Sequence, residues 1–305
     1  MSTNTPPVIQ RIPSHEASVG GIPIRRALPN ARCRMVGAWC FLDHAGPATQ
    51  APEQRMRVAP HPHTGLQTFS WMMEGEILHR DSVGSLQLLR PGEVNLMTAG
   101  RGISHSEESL SDRVHLAQLW IALPDAERHR APGFEHHAQL PQMERGGFTL
   151  TVLAGVFEGM LAPPRVFSPL LGLDALSAGP ACAELALQAG FEHGVMVLEG
   201  EIELSIEGCE DIQTLAPGSL LYIGAGPQRL LLRSNAACRL LLLGGEPWPT
   251  PALLWWNFVG REPEEIEQFA RDWNAGGQGF GKVEGYDGAP LVAPDPSGLH
   301  LKRPA

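Results

Sequence analysis

Polar and apolar residues alternate through Glu201-Ile202-Glu203-Leu204-Ser205-Ile206. Period two is the mark of a strand buried on one face, because successive strand side chains point to opposite sides. Residues 114–123 and 239–243 are more continuously apolar, which predicts strands covered on both faces. Turns carrying Gly or Pro-Gly separate such stretches, the pattern of a β-sandwich or barrel. One segment changes period. Ile266, Phe269, Ala270 and Trp273 fall at i, i+3, i+4 and i+7, predicting an amphipathic helix of about three turns. Pro263 suits its first position, Glu262, Glu264 and Glu265 complement its dipole, and Gly276 ends it. From Gly276 to Ala305 the chain is rich in Gly and Pro, and it is expected to run extended over the surface.

The pattern also repeats. Met73-Glu74-Gly75-Glu76-Ile77 recurs as Leu198-Glu199-Gly200-Glu201-Ile202, Pro91-Gly92-Glu93-Val94 as Pro217-Gly218-Ser219-Leu220, and Ala99-Gly100 as Ala225-Gly226. The three matches keep their order at offsets of 125 and 126. That period is too long for a solenoid and implies two copies of one domain. The expected fold is all-β, with two tandem β-barrel domains and a short C-terminal helix. A boundary near Gly146-Gly147 gives domains 1–146 and 147–305.

Composition narrows the class. The chain has 34 Gly and 27 Pro, one residue in five, without low complexity, which fits short strands joined by tight turns. A net charge of −10 argues against direct nucleic-acid binding, which needs a basic face. Cys33, Cys40, Cys182, Cys209 and Cys238 are odd in number and lack a C-x-x-C pair, so neither a disulfide framework nor a zinc knuckle is expected. Residues 1–29 contain no apolar signal-peptide core, and no apolar run approaches a membrane span. The expected setting is a reducing cytoplasm, with no membrane partner.

Two short pairs carry chemistry. His61-Pro62-His63 and His105-Ser106-Glu107 each put two metal-capable side chains at i and i+2. On strands these point the same way. Two such strands paired face to face would aim three imidazoles and one carboxylate at one point. That donor set suits Fe(II), Mn(II), Ni(II) or Cu(II), and leaves two octahedral positions for water, dioxygen or substrate. A histidine without such a pairing is more often surface or satisfied core. His79, His115, His129, His136, His137, His193 and His300 are read that way. Aligned on the repeat, the four candidates become Ala186, Gln188, Leu231 and Arg233. None is a plausible ligand, so one metal per chain is expected, in the N-terminal copy.

The local sequence further resembles the pirin family of bicupins. The resemblance is carried by Phe41-Leu42-Asp43-His44, His61-Pro62-His63-Thr64-Gly65, Glu74-Gly75 and His79-Arg80-Asp81-Ser82. Met97-Thr98-Ala99-Gly100-Arg101-Gly102-Ile103, His105-Ser106-Glu107 and Gln118-Leu119-Trp120 continue it, and weaker similarity reaches Gly245-Glu246-Pro247. It implies two jelly-roll cupin barrels. It also implies a mononuclear Fe(II) site on the residues matching His61, His63, His105 and Glu107, with Mn, Ni, Cu and Zn as alternative ions. The implied activity is of the quercetin 2,3-dioxygenase type, in which dioxygen opens the ring of a small aromatic flavonol and carbon monoxide leaves. Glu107 would then be the candidate base for the flavonol hydroxyl, and Arg101, Met97 and Trp120 candidate pocket residues. The alternative is a non-catalytic iron-binding regulator acting through protein partners. The chain departs from the family at Gln67, where Glu is usual, at Val94-Asn95-Leu96, and at Trp255-Trp256-Asn257-Phe258, whose expected role is packing.

Overall fold

The computed structural model describes residues 7–249 and 252–296. They form two compact units interleaved along the chain. One contains residues 7–15, 25–42 and 139–248; the other contains 16–24, 43–138 and the described residues from 249 onward. Gly146 and Gly147, the expected boundary, lie in the turn between the paired strands Gln142–Arg145 and Phe148–Phe157 of the first unit.

Strand order bears out the internal repeat. In the first unit Ser219–Ile223, Glu192–Glu199, Cys238–Gly245 and Leu170–Ser177 lie side by side in that order. In the second unit Val94–Thr98, Leu66–Asp81, Ile103–Ala122 and the 43–49 part of the strand Trp39–Thr49 repeat it. Both sets are β-sheets whose strand orders run open from edge to edge. In the first unit a four-stranded sheet covers the larger one. Its Ala181–Ala186 strand buries Ala181, Ala183 and Leu185 and exposes Cys182, Glu184 and Ala186, the period-two rule in one element. Ala183, Leu204 and Leu232 from that sheet join Phe148, Leu173 and Leu240 from the larger one in a single apolar core. No disulfide joins any of the cysteines.

The second unit relies on two long strands, Leu66–Asp81 of 16 residues and Ile103–Ala122 of 20. Their antiparallel pairing shifts register at Met72/Glu74 and again at Gly75/Ile77. Such bulges bend a strand and raise its twist, so one ribbon can cover both sides of a core of Ile22, Met56, Met72, Ile77 and Leu116. Gly75 has φ +91°, and a Cβ there would overlap the Arg113 carbonyl oxygen. Gly200, its repeat partner, has φ +75° and the Ala237 carbonyl in the same relation.

The expected helix spans Pro263–Asn274, with Glu262 and Glu265 closing a capping box over its first turn. Ile266 and Ala270 are buried against Phe258 and Phe280 of the same unit, with Phe269 and Trp273 partly covered. The segment after Gly276 makes one 3-10 turn at Gln278–Phe280 and is not merely draped: Phe280, Val283 and Ala293 are buried. The last nine residues lie outside the described ones. Among the described residues no helix is long and apolar enough to cross a membrane.

Two glycines separate backbone strain from overlap. Gly92 also has positive φ, +84°, but open space around it. Gly92→Ala is expected to cost about 1–2 kcal/mol for the left-handed backbone alone. Gly75→Ala should cost more than that in urea denaturation, since the strand must also move off Arg113. Equal costs would show that the bulge is not held by that approach.

Candidate metal centre

The His-x-His and His-x-Glu pairs lie where strand geometry puts them. Arg57–His63 pairs antiparallel with Ile103–Ala122, and His61 stands directly across from His105. Alternation brings His63 to the face of His61, and Glu107 to that of His105. On its other side Ile103–Ala122 pairs with Leu66–Asp81, which sets Asp81 across from His105 and His79 across from Glu107.

Ligand-capable atoms of His61, His63 and His105 lie within 4.8 Å of one another. The His63 and His105 Nε2 atoms are 3.1 Å apart. Two ligands about 2.1 Å from one ion and at right angles to each other sit about 3.0 Å apart. The rings are tilted by 53° to 75° with centroids 4.4–5.0 Å apart, converging on a point and not stacking. His61 Nδ1 donates to the Ala59 carbonyl at 2.9 Å, and His63 Nδ1 to the Asn257 carbonyl at 3.0 Å. Each bond leaves the Nε2 lone pair bare, the usual way a second partner orients a ligating imidazole.

Electrostatics keeps these rings neutral. Burial is the main cause in all three, pushing His61 down to about 4 and His63 and His105 well below the ordinary imidazole value. Neighbouring imidazoles lower them further. Three buried lone pairs facing one another without protons form a donor set that fits a cation. An ion of imidazole-binding type therefore suits the residues present.

Glu107 falls in a second grouping. Its carboxylate and ligand atoms of His79 and His105 lie within 4.8 Å of one another, so His105 belongs to both sets. Burial raises the Glu107 carboxyl above its usual value, against the pull of His79 and the Ser70 hydroxyl. Of the suggested pocket residues, Trp120 meets His63 in a T-shaped contact with ring centroids 5.1 Å apart, Met97 is buried beside Phe134 on paired strands, and Arg101 is exposed.

Two contributors escaped the sequence reading. His79, read as structural, hydrogen-bonds Asp81 through Nε2 at 3.0 Å and faces the His105 ring. Its signal was present, since His79-Arg80-Asp81 has the same i, i+2 spacing as the other pairs. Asn257 acts through its carbonyl, which no side-chain pattern reveals. The other histidines that are described stand outside the cluster. His115 pairs with His44 at 2.9 Å, His136 with Asn95 at 2.8 Å, and His137 with Glu135 at 3.0 Å. His193, in the other unit, is fully buried, and neither ring nitrogen has a hydrogen-bond partner. His300 lies outside the described residues.

Comparison with known proteins follows the same outline. A family model described as Pirin matches residues 21–121, and one described as the Pirin C-terminal cupin domain matches residues 175–280. A protein of Pseudomonas aeruginosa named "putative quercetin 2,3-dioxygenase" is 47% identical over 94% of this chain and 90% of its own length. A pirin-like protein of Caulobacter vibrioides is 40% identical over 85% of this chain and 90% of its own. The crystal structure of a quercetin 2,3-dioxygenase from Acinetobacter baumannii superposes with a TM-score of 0.88 at 43% identity, covering 94% of this chain and 95% of that one.

The depressed imidazoles fix a pH dependence. A histidine whose folded value lies below its unfolded one stabilises the fold above the unfolded value, and that stability is lost as pH falls toward the folded one. For His61 and for His193, also held near 4 by burial, the window runs from 6.5 down to about 4. Chelator-treated protein should lose stability across it, each histidine contributing up to about 1.4 kcal/mol per pH unit. The raised Glu107 carboxyl acts in the opposite sense and softens the slope. A melting temperature that stays flat from pH 7 to 4 would contradict the buried, neutral state of these rings.

Proposed function

The chain belongs to the pirin family, and on that premise we propose that it is a mononuclear metal-dependent dioxygenase that opens the ring of a flavonol. The ion is Fe(II), held by His61, His63, His105 and Glu107. The partners are a small aromatic substrate and dioxygen, in the cytoplasm. The observation that carries the reading is the 3.1 Å approach of two buried imidazole nitrogens on facing strands, with His61 completing the group. Its support from relatives is the quercetin 2,3-dioxygenase name borne by proteins that align over nearly the whole chain.

When bound, such an ion supplies Lewis acidity, lowering the pKa of a coordinated hydroxyl by several units. The remaining work falls to side chains. His61 and His63 keep their protons on Nδ1, tied to carbonyls of the main chain, so neither exchanges a proton with the substrate. Glu107, made more basic by burial, takes the 3-hydroxyl proton of the flavonol as general base. Trp120, against His63, holds that imidazole at its angle. The surrounding residues are almost fully buried, which limits water around the reacting groups.

Oxygen uptake by Fe(II)-loaded protein, followed with a panel of flavonols, tests the reading. Consumption of dioxygen with release of carbon monoxide is expected, with one tightly bound ion per chain by elemental analysis. Uptake by none of the flavonols, with the iron in place, would favour a regulatory metal protein. His61→Ala should lose metal and turnover together. Glu107→Gln, refilled with iron, should still bind flavonol but turn over about 100-fold more slowly. Full turnover by that variant would remove the base assignment.

A further inference from the structure

Behind His105 stands a pair that the four expected ligands do not include. His79 and Asp81 alternate on the Leu66–Asp81 strand and so share a face, opposite Glu107 and His105. The His79 ring stacks on Phe134 at 4.5 Å between centroids, and the side chains of His79 and Asp81 are 3% and 0% exposed. Asp81 Oδ1 accepts the backbone N–H groups of Val83 at 3.0 Å and Ser85 at 2.9 Å. Its Oδ2 meets His79 Nε2 at 3.0 Å, and His79 Nδ1 meets His105 Nδ1 at 3.4 Å.

The protons on this chain can be assigned one at a time. A carboxylate only accepts, so His79 Nε2 carries a proton and donates it to Asp81. A His79 ring with its one proton on Nε2 offers a bare Nδ1, which can only accept. His105 must therefore carry its proton on Nδ1, and its Nε2 is left bare toward His63. We propose that His79 and Asp81 are positioning residues: they lock His105 in the tautomer that offers Nε2, and so set how tightly the centre holds its ion. The inference rests on reading His61, His63 and His105 as the metal site.

Asp81→Asn is the decisive change because it keeps shape and reverses the logic. The asparagine carbonyl would retain the two backbone N–H groups, which turns its amide N–H toward His79 Nε2. His79 then accepts there, carries its proton on Nδ1, and donates it to His105 Nδ1. The His105 proton is forced onto Nε2, the atom meant for the ion.

Two measurements on the whole protein test this. Long-range ¹⁵N–¹H spectra of the metal-free protein should show His105 protonated on Nδ1 in the parent and on Nε2 in Asp81→Asn. Zn(II) affinity by competition with a chelator should fall about 10–100-fold in Asp81→Asn, the usual effect of losing an outer partner of a ligating histidine. His79→Ala should fall similarly, whereas His79→Gln, whose amide oxygen can accept from His105, should retain most of the affinity. A parent His105 protonated on Nε2, or an unchanged affinity in Asp81→Asn, would overturn the proposal. So would equal losses in His79→Gln and His79→Ala, or a Zn(II)-loaded spectrum with the ion on His79. Failure of the parent to bind any divalent ion would sink the metal-site reading itself, while the metal-free spectra would still decide the tautomer.

Discussion

The register between three neighbouring strands governs this site. Arg57–His63, Ile103–Ala122 and Leu66–Asp81 lie side by side, and His61, His105 and Asp81 fall in one row across them. Because side chains alternate strictly along a strand, a slip of one residue in either pairing would send an entire row to the opposite face. The imidazoles would then point away from one another, and the ring now beside Trp120 would leave it. The bulge between Val58 and His61 and the two bulges in the long ribbon leave the sheet few ways to re-pair. Gly75, with its carbonyl neighbour, fixes where one of them falls. Backbone chemistry some distance from the histidines thus decides where the histidines meet.

Much of this was legible in the chain because strand periodicity leaves a local trace. The alternation at 201–206 reappears as buried Ile202, Leu204 and Ile206, and the helix begins at Pro263 as its sequence signals require. The repeat was visible because each copy needs the same turns at the same places. His-x-His and His-x-Glu were readable for the same reason: i and i+2 on a strand share a face whatever the fold. His79 has the identical spacing to Asp81, but a single histidine does not show from sequence alone that its strand lies beside the other two. Asn257 had no trace to find, because a main-chain carbonyl is offered by every residue. The interleaving of segments was equally hidden; contacts between residues far apart in sequence assign the helix to the unit of the first copy.

The two copies show how one scaffold is kept or spent. Thr68 and Trp120 are paired across the strands of one unit, and His193 and Gly244 hold the matching positions in the other. In the first case the tryptophan ring meets His63 in a T-shaped contact. In the second the glycine leaves room for an imidazole, since a Cβ on Gly244 would lie 2.9 Å from His193 Cδ2. Around it the interior is a continuous apolar core of leucine, valine and phenylalanine. Burial of that many apolar side chains is a large stabilising term for this unit.

The hydrogen bond from His63 to the Asn257 carbonyl spans 194 positions, and Ser104, beside His105, donates to the carbonyls of Phe280 and Gly281. All three acceptors lie at least 176 positions from the side chains they bind. Until that distant segment folds back, His63 has no carbonyl to anchor its outer nitrogen. Closing the candidate site thus depends on contacts between residues far apart in sequence, the kind that raise contact order and slow the folding of the segment they join.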